Sequence, residues 1–238
     1  MKRAAALALL LLAACQAPAP RPAPTSEAAA TDWAGEYDRL RETGTAVYRV
    51  DPAASDIRIH VYRGGRAAKL GHNHVLSAPD FAGYAAIDGE DLTSARFELR
   101  VRFDALSIDD PALRQDTGGA FAGVRSESDI TGTRRNMLGP RVLDADHHPE
   151  LRIRSLRIEG DWPLPIARVA IDWHGVTREQ DVLLQVERND AQLRARGSLV
   201  LRQTDYGITP FTILGGAIAV QDAVAVRFDL QARRWPSD

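Results

Sequence analysis

The chain has 238 residues, 45% of them hydrophobic, with 30 Lys and Arg against 32 Asp and Glu and a formal net charge of −2. The charges are interspersed, and no run of Lys or Arg is long enough for the basic face that a nucleic-acid surface needs. One cysteine excludes an internal disulfide, and no apolar stretch approaches the roughly 20 residues of a transmembrane helix.

Residues 1–14 read as a lipoprotein signal. Lys2 and Arg3 form a positive start, and Ala4 to Leu12 form an apolar core too short for a permanent span. Leu12-Ala13-Ala14-Cys15 resembles the lipobox of bacterial lipoproteins, where small residues admit the peptidase and the thiol carries a diacylglycerol. The bland alternative is an ordinary signal peptide with an incidental cysteine. Cys15 is thus the expected lipid anchor, and more than one acyl chain (palmitate-type) makes such anchoring stable. Gln16, where retained inner-membrane lipoproteins usually have Asp, points toward the outer membrane. The expected location is the cell envelope, facing the periplasm.

Residues 15–31 are mostly Ala and Pro, with Pro18, Pro20, Pro22 and Pro24 at alternate positions, which predicts an extended tether. Residues 32–44 predict a short helix or linker, with Asp32 as N-cap and Gly44 as stop.

Residues 45–234 predict one mostly β domain. Phe97, Leu99, Val101 and Phe103 alternate with Arg96, Glu98, Arg100 and Arg102, which is the pattern of a strand apolar on one face. Ile57, Ile59 and Val61 repeat it, as do Val182, Leu184 and Val186, then Leu193 to Leu201 and Val224 to Leu230. Turn residues punctuate the runs at Asp51-Pro52, Gly64-Gly65, Asp88-Gly89, Gly160-Asp161 and Asn189-Asp190. Such spacing predicts an antiparallel barrel or sandwich. Ser126 to Leu143 lacks alternation and predicts a short helix and loop ended by Gly139-Pro140.

Four segments in this order resemble the YceI-like family of periplasmic proteins. They are Tyr48-Arg49-Val50-Asp51 with Ser55 to Ile59; Thr133 to Leu138 with Val142 to Ala145 and His148 to Leu151; Asp172-Trp173-His174-Gly175-Val176-Thr177-Arg178; and Gln203 to Ile208. The resemblance implies a single antiparallel lipocalin-like β-barrel of about eight strands, with one short helix between strands. It implies an apolar central cavity for a polyisoprenoid or other lipid chain and no catalytic machinery, but supplies no residue-by-residue ligand site. The helix reads Arg134-Arg135-Asn136-Met137-Leu138 where many relatives have an Arg-Asp pair followed by His, and Gly71-His72-Asn73-His74 is a further departure.

Histidines are the other candidate chemistry. On a strand, Leu70, His72, His74 and Leu76 share one face, and two imidazoles two residues apart suit one transition metal. His147 or His148 is the candidate third ligand, with Asp144 and Asp146 as nearby oxygen donors. The bland reading makes all of these turn and cap residues. His174 reads as a turn residue and His60 as solvent-facing beside Arg58 and Tyr62. No Gly-x-Ser-x-Gly elbow appears, and the carboxylates are scattered as on a solvated surface.

Three readings follow. The first is a non-enzymatic carrier of a long-chain lipid, an isoprenoid, a quinone-like molecule, or a fatty amide or acid. For that class, each buried methylene yields about 0.8 kcal/mol, so a few isoprene units offset an association cost of about 4 to 15 kcal/mol without any polar contact. The second is a periplasmic metal-binding module built on the His-x-His pair, possible beside membrane redox chemistry. The third is a filled barrel acting as an interaction domain. A dimer is compatible with each.

Overall fold

The structure is a computed structural model that describes residues 33–236. The signal sequence, Cys15, the tether and the Asp32 cap lie outside the described residues.

The first element is a helix, α1 (Trp33–Glu42), which stops before Gly44 at φ +90°. Twelve strands follow, with two further α-helices. In chain order they are β1 (Ala46–Val50), β2 (Asp56–Gly64), β3 (His74–Ser77), β4 (Phe81–Asp88), β5 (Asp91–Arg102), β6 (Ser107–Ile108), α2 (Pro111–Thr117) and α3 (Glu127–Leu138). Then come β7 (Glu150–Glu159), β8 (Ile166–Trp173), β9 (Val176–Arg188), β10 (Gln192–Arg202), β11 (Thr212–Ile213) and β12 (Ile218–Arg234).

Eight strands close the barrel, all antiparallel, in the order β1-β4-β5-β7-β8-β9-β10-β12. Closure runs through β12 pairing back to β1, with Tyr48 opposite Arg234 and Val50 opposite Ala232. The same edge of β12 also pairs β2, so β1 and β2 act as one strand interrupted at Asp51 to Ser55. There Asp51 caps a short 3₁₀ turn by accepting from the Ala53 amide. β3 and β6 extend the sheet beyond β2 at one end.

The alternation predicted from the sequence decides which side chains face the lumen. Phe97, Leu99, Val101 and Phe103 all line the interior, as do Ile57, Ile59 and Val61, and Val182, Leu184 and Val186. The hairpin turns β4–β5, β7–β8 and β9–β10 gather at one end. The β8–β9 turn, α2, α3 and the short 3₁₀ segment Gln203–Tyr206 gather at the other.

Ser126 caps α3 by accepting from the Asp129 amide, and the helix ends at Gly139 as the sequence predicts. α2 is a second helix between strands, where the sequence reading expected one. Its signature is nonetheless present: Asp110 accepts from the Leu113 amide with Pro111 in the first turn, the pairing that starts helices. At seven residues it was too short to stand out by periodicity.

α1 is part of the folded unit and packs outside the barrel. Tyr37 stacks on Tyr84 at 5.3 Å between ring centroids, while Trp33 meets the same ring edge-on at 5.0 Å and Trp235 stacks on it at 5.2 Å. Beneath the helix, buried Glu98 accepts a two-pronged bond from Arg152 at 2.6 and 2.9 Å and another from Arg100 at 2.9 Å. Arg100 in turn lies over the Trp33 ring. Charges on the outer face of β5 are thus tied off against a helix instead of facing water.

Candidate functional site: an apolar lumen with one polar end

The barrel interior is open. A cavity of about 350 Å³ runs through it, lined by apolar side chains from all eight barrel strands. Ligand cavities commonly measure about 300 to 1,000 Å³, so the space is of a size to hold one small molecule. The reading of a filled barrel is corrected by this cavity.

The two ends differ. At the hairpin end, Ile87, Trp162, Pro165, Leu193 and Ala232 line the wall. Trp162 donates its indole N–H to the Glu90 carbonyl at 3.2 Å and carries the Arg188 guanidinium over its ring, so it is held from outside. At the α3 end the lining includes Thr133, Asn136, Gln203, His74 and Trp173.

His74 reaches the lumen because it opposes Val61 across the β2–β3 pair, and opposed residues point to the same face. Its Nδ1–H donates to Asp109 Oδ2 at 2.6 Å. Asp109 is buried; it also accepts from the Val75 amide at 3.1 Å and from the Arg114 guanidinium. Burial alone would raise the Asp109 pKa, yet the bonds from His74, Val75 and Arg114 hold its carboxyl below the usual range. An ionised carboxylate only accepts, so His74 carries a proton on Nδ1 and turns Nε2 away from Asp109. Arg114, just as buried, spends its other donors on the carbonyls of Asn73 at 3.0 Å and Gly123 at 2.7 Å.

Trp173, the last residue of β8, is 6% exposed and lies 5.1 Å from Tyr206 between ring centroids. Burial pushes the Tyr206 phenol up to about 12, so it stays protonated. The Trp173 indole N–H is buried and meets no acceptor.

The structure does not assemble the predicted metal site. The chain from Gly71 to Asn73 is not strand; β3 begins at His74, and Leu70 ends a 3₁₀ turn with its side chain exposed. His72 and His74 rings lie edge to face at 6.1 Å, while the Asp109 carboxylate takes His74 Nδ1. His147 and His148 sit on a turn between α3 and β7. There His147 pairs with Asp144 at 3.0 Å, which raises the histidine pKa and lowers that of the aspartate. His148 packs against His174 at 4.8 Å. Among the described residues no group of three or more His, Cys, Asp or Glu is placed to hold a metal. The spacing argument assumed a strand, and each imidazole instead found a local partner.

His174 is the turn residue expected, at φ +53° ahead of Gly175 at φ +73°, as a tight hairpin between right-twisted strands requires. His60 departs from expectation. It points away from the lumen, but Phe121 lies edge-on at 5.3 Å and burial lowers its pKa. The segment Gly119–Phe121 covers this outer face, which strand alternation alone cannot show.

Comparison with known proteins bears on the whole barrel. The model of the YceI-like domain matches residues 48–232. Among solved structures, BcnA of Burkholderia cenocepacia superimposes with a TM-score of 0.56 at 14% identity, over 76% of this chain and 98% of that one. A polyisoprenoid binding domain from Saccharophagus degradans gives 0.51 at 12% identity, over 80% of this chain and 99% of that one. No curated protein matches. At these identities the structures speak for the fold alone, and the family rests on the domain match. With a closed eight-stranded barrel around an apolar lumen and that match across nearly all of it, the chain belongs to the YceI-like domain family.

Proposed function

We propose that this protein is a non-enzymatic binding or carrier protein for a long-chain lipid of isoprenoid type. In this reading a lipidated Cys15 tethers it to the bacterial envelope, with the barrel working in the periplasm. The observation that carries the reading is the lumen itself: about 350 Å³ of space within the barrel, walled mostly by Leu, Val, Ile and Phe side chains. Empty apolar volume forfeits dispersion contacts and gains nothing from water. A chain of methylenes would restore those contacts at about 0.8 kcal/mol each.

The structural relative from Saccharophagus degradans, described as a polyisoprenoid binding domain, supports the same ligand class. The alternation of Arg and Glu on the outer faces of the strands supports a barrel that is wet outside and dry within.

Native mass spectrometry tests the reading. The chain from residue 33 onward, purified without detergent from a bacterial envelope, is expected to carry an adduct of lipid mass that organic extraction removes. Polypeptide of bare mass that also fails to take up a long-chain isoprenoid added afterwards would refute it.

A further inference from the structure

We infer that the turns beyond β2 and between β11 and β12 form a lip that docks on an anionic lipid bilayer. Leu70 and Leu214 enter the membrane surface there, and Arg66 and Lys69 meet its phosphates.

Strand register makes the lip project. β10 ends at Arg202, opposite Ala223, so Ile218 to Asp222 of β12 run on past it and pair with the end of β2 and with β11. Backbone bonds join the two turns at the tip. Ala67 donates its amide to the Ala217 carbonyl at 2.8 Å, Ala217 donates to Leu214 at 3.2 Å, and Leu70 donates to Ala67 at 2.9 Å. Leu70 and Leu214 are each 73% exposed, at turn positions where polar residues are the rule. At the base of the lip Val220 donates to the Phe211 carbonyl, and both side chains line the lumen. The lip is thus continuous with the cavity wall.

Charge selects the partner. The chain carries a net charge of −2, yet from Ile57 to Pro79 it has Arg58, Arg63, Arg66 and Lys69 and no Asp or Glu. From Tyr206 to Gln221 it has no charged residue. Arg66 and Lys69 are exposed and have no ion-pair partner among the described residues. The flanking carboxylates are already engaged: Asp222 accepts from Thr204, and Asp129 faces Arg125 as well as His72. Elsewhere exposed apolar residues keep mixed company. Ile166 and Leu183 on the barrel wall stand beside Arg168, which pairs with Glu179 and Asp181. Apolar tips flanked by cations alone suit the boundary between anionic head groups and acyl chains.

α1 is oriented to match. Arg100 lies over Trp33 and Arg96 pairs with Glu36, so the helix begins toward the lip's end of β5 and finishes toward the hairpins. A membrane-anchored Cys15 would lead in from that side. Uptake of a chain from the bilayer through this lip rests on the lipid-chain reading; docking itself does not.

Flotation of the chain from residue 33, which holds the whole barrel and no acyl anchor, tests the docking. Vesicles of phosphatidylcholine alone are compared with vesicles of equal parts phosphatidylcholine and phosphatidylglycerol. The protein is expected to float with the anionic vesicles and to be released by salt. Arg66→Gln with Lys69→Gln should weaken that binding roughly fivefold per cation. Leu70→Ser with Leu214→Asn should weaken it roughly tenfold or more per leucine, asparagine being suited to the positive φ at residue 214. Leu183→Ser on the barrel wall should change nothing. These positions are exposed, so all variants should keep the parent's thermal midpoint.

No flotation with anionic vesicles at low salt would overturn the lip, as would flotation that both double variants leave unchanged. Native mass spectra of the Leu70 and Leu214 double variant separate the two readings, since its lumen is unaltered. A lipid adduct without flotation would support both. Bare polypeptide whose parent still floats in a lip-dependent way would support the lip and overturn the lipid-chain reading.

Discussion

The ring of Phe228 lies across Gly197 on the neighbouring strand, with its Cζ 2.6 Å from where a β-carbon on residue 197 would sit. Both positions belong to the lumen-facing register of β10 and β12, so the missing side chain of one makes room for the aromatic ring of the other. Residue 197 therefore helps determine the bore of the barrel at mid-height.

Substitution of that glycine is expected to act on the cavity before it acts on the fold. Gly197→Ala would drive the ring inward or strain the Leu183 carbonyl, 2.9 Å from the same point. Overpacking of this kind costs about 1 to 3 kcal/mol, read as a lower denaturation midpoint. Because the Phe228 ring lines the lumen, bound lipid should fall more steeply than stability, measured by adduct abundance in native mass spectra.

Filling the lumen on purpose gives the converse test. Ala195 faces the cavity with room around it. Ala195→Trp would displace several methylenes of a bound chain, and the loss of three costs about 2.4 kcal/mol, or roughly fiftyfold in affinity. A series of linear alcohols should then show its preferred length shortened by several carbons.

Asp109 and Arg114 form a buried ion pair, and breaking it from one side strands the other charge. Asp109→Ala is expected to destabilise the fold by about 3 to 5 kcal/mol in urea denaturation. The pH dependence follows from the same carboxyl. Its folded-state pKa lies below the ordinary aspartate value, near 4, so its contribution is fully present above that value and is lost as pH falls through the folded one. Asp109→Asn should flatten the slope of stability against pH below about 4.

α1 is expected to depend on one ring. Tyr84 carries Trp33, Tyr37 and Trp235 together, and its removal takes the seat from the helix while leaving the strand pairing intact. Tyr84→Ala should cost about 3 kcal/mol and move tryptophan emission to the red as Trp33 and Trp235 meet water. Lipid binding should persist, since α1 packs on the outside.

Most of the barrel was legible in the chain because strand alternation and lumen-facing registers are the same fact seen twice. Phe97 to Phe103 and Val182 to Val186 could face the interior in one way only, since a slip of one residue would turn Arg96, Glu98 and Arg100 into the core. The His174-Gly175 turn was legible for an equally local reason, as was the start of α3 at Ser126. The candidate site was less so. His72 and His74 were singled out by spacing, yet only His74 belongs to a strand, and its partner Asp109 lies 35 positions away on the far side of β6. Trp173 stood inside a recognised motif without any sign that its N–H would be left over.

Alone, the sequence determined the class of fold, the faces of the strands and the segments that turn, because these depend on periods of two residues and on backbone preferences within a few positions. It also carried the family. Tertiary structure decided that the lumen stays open, that the polar groups collect at the α3 end, and that His74, His147 and His148 meet Asp109, Asp144 and His174. Those outcomes depend on closure of β12 onto β1 and on which side chains, distant in the chain, occupy the same volume, and no local pattern encodes a volume.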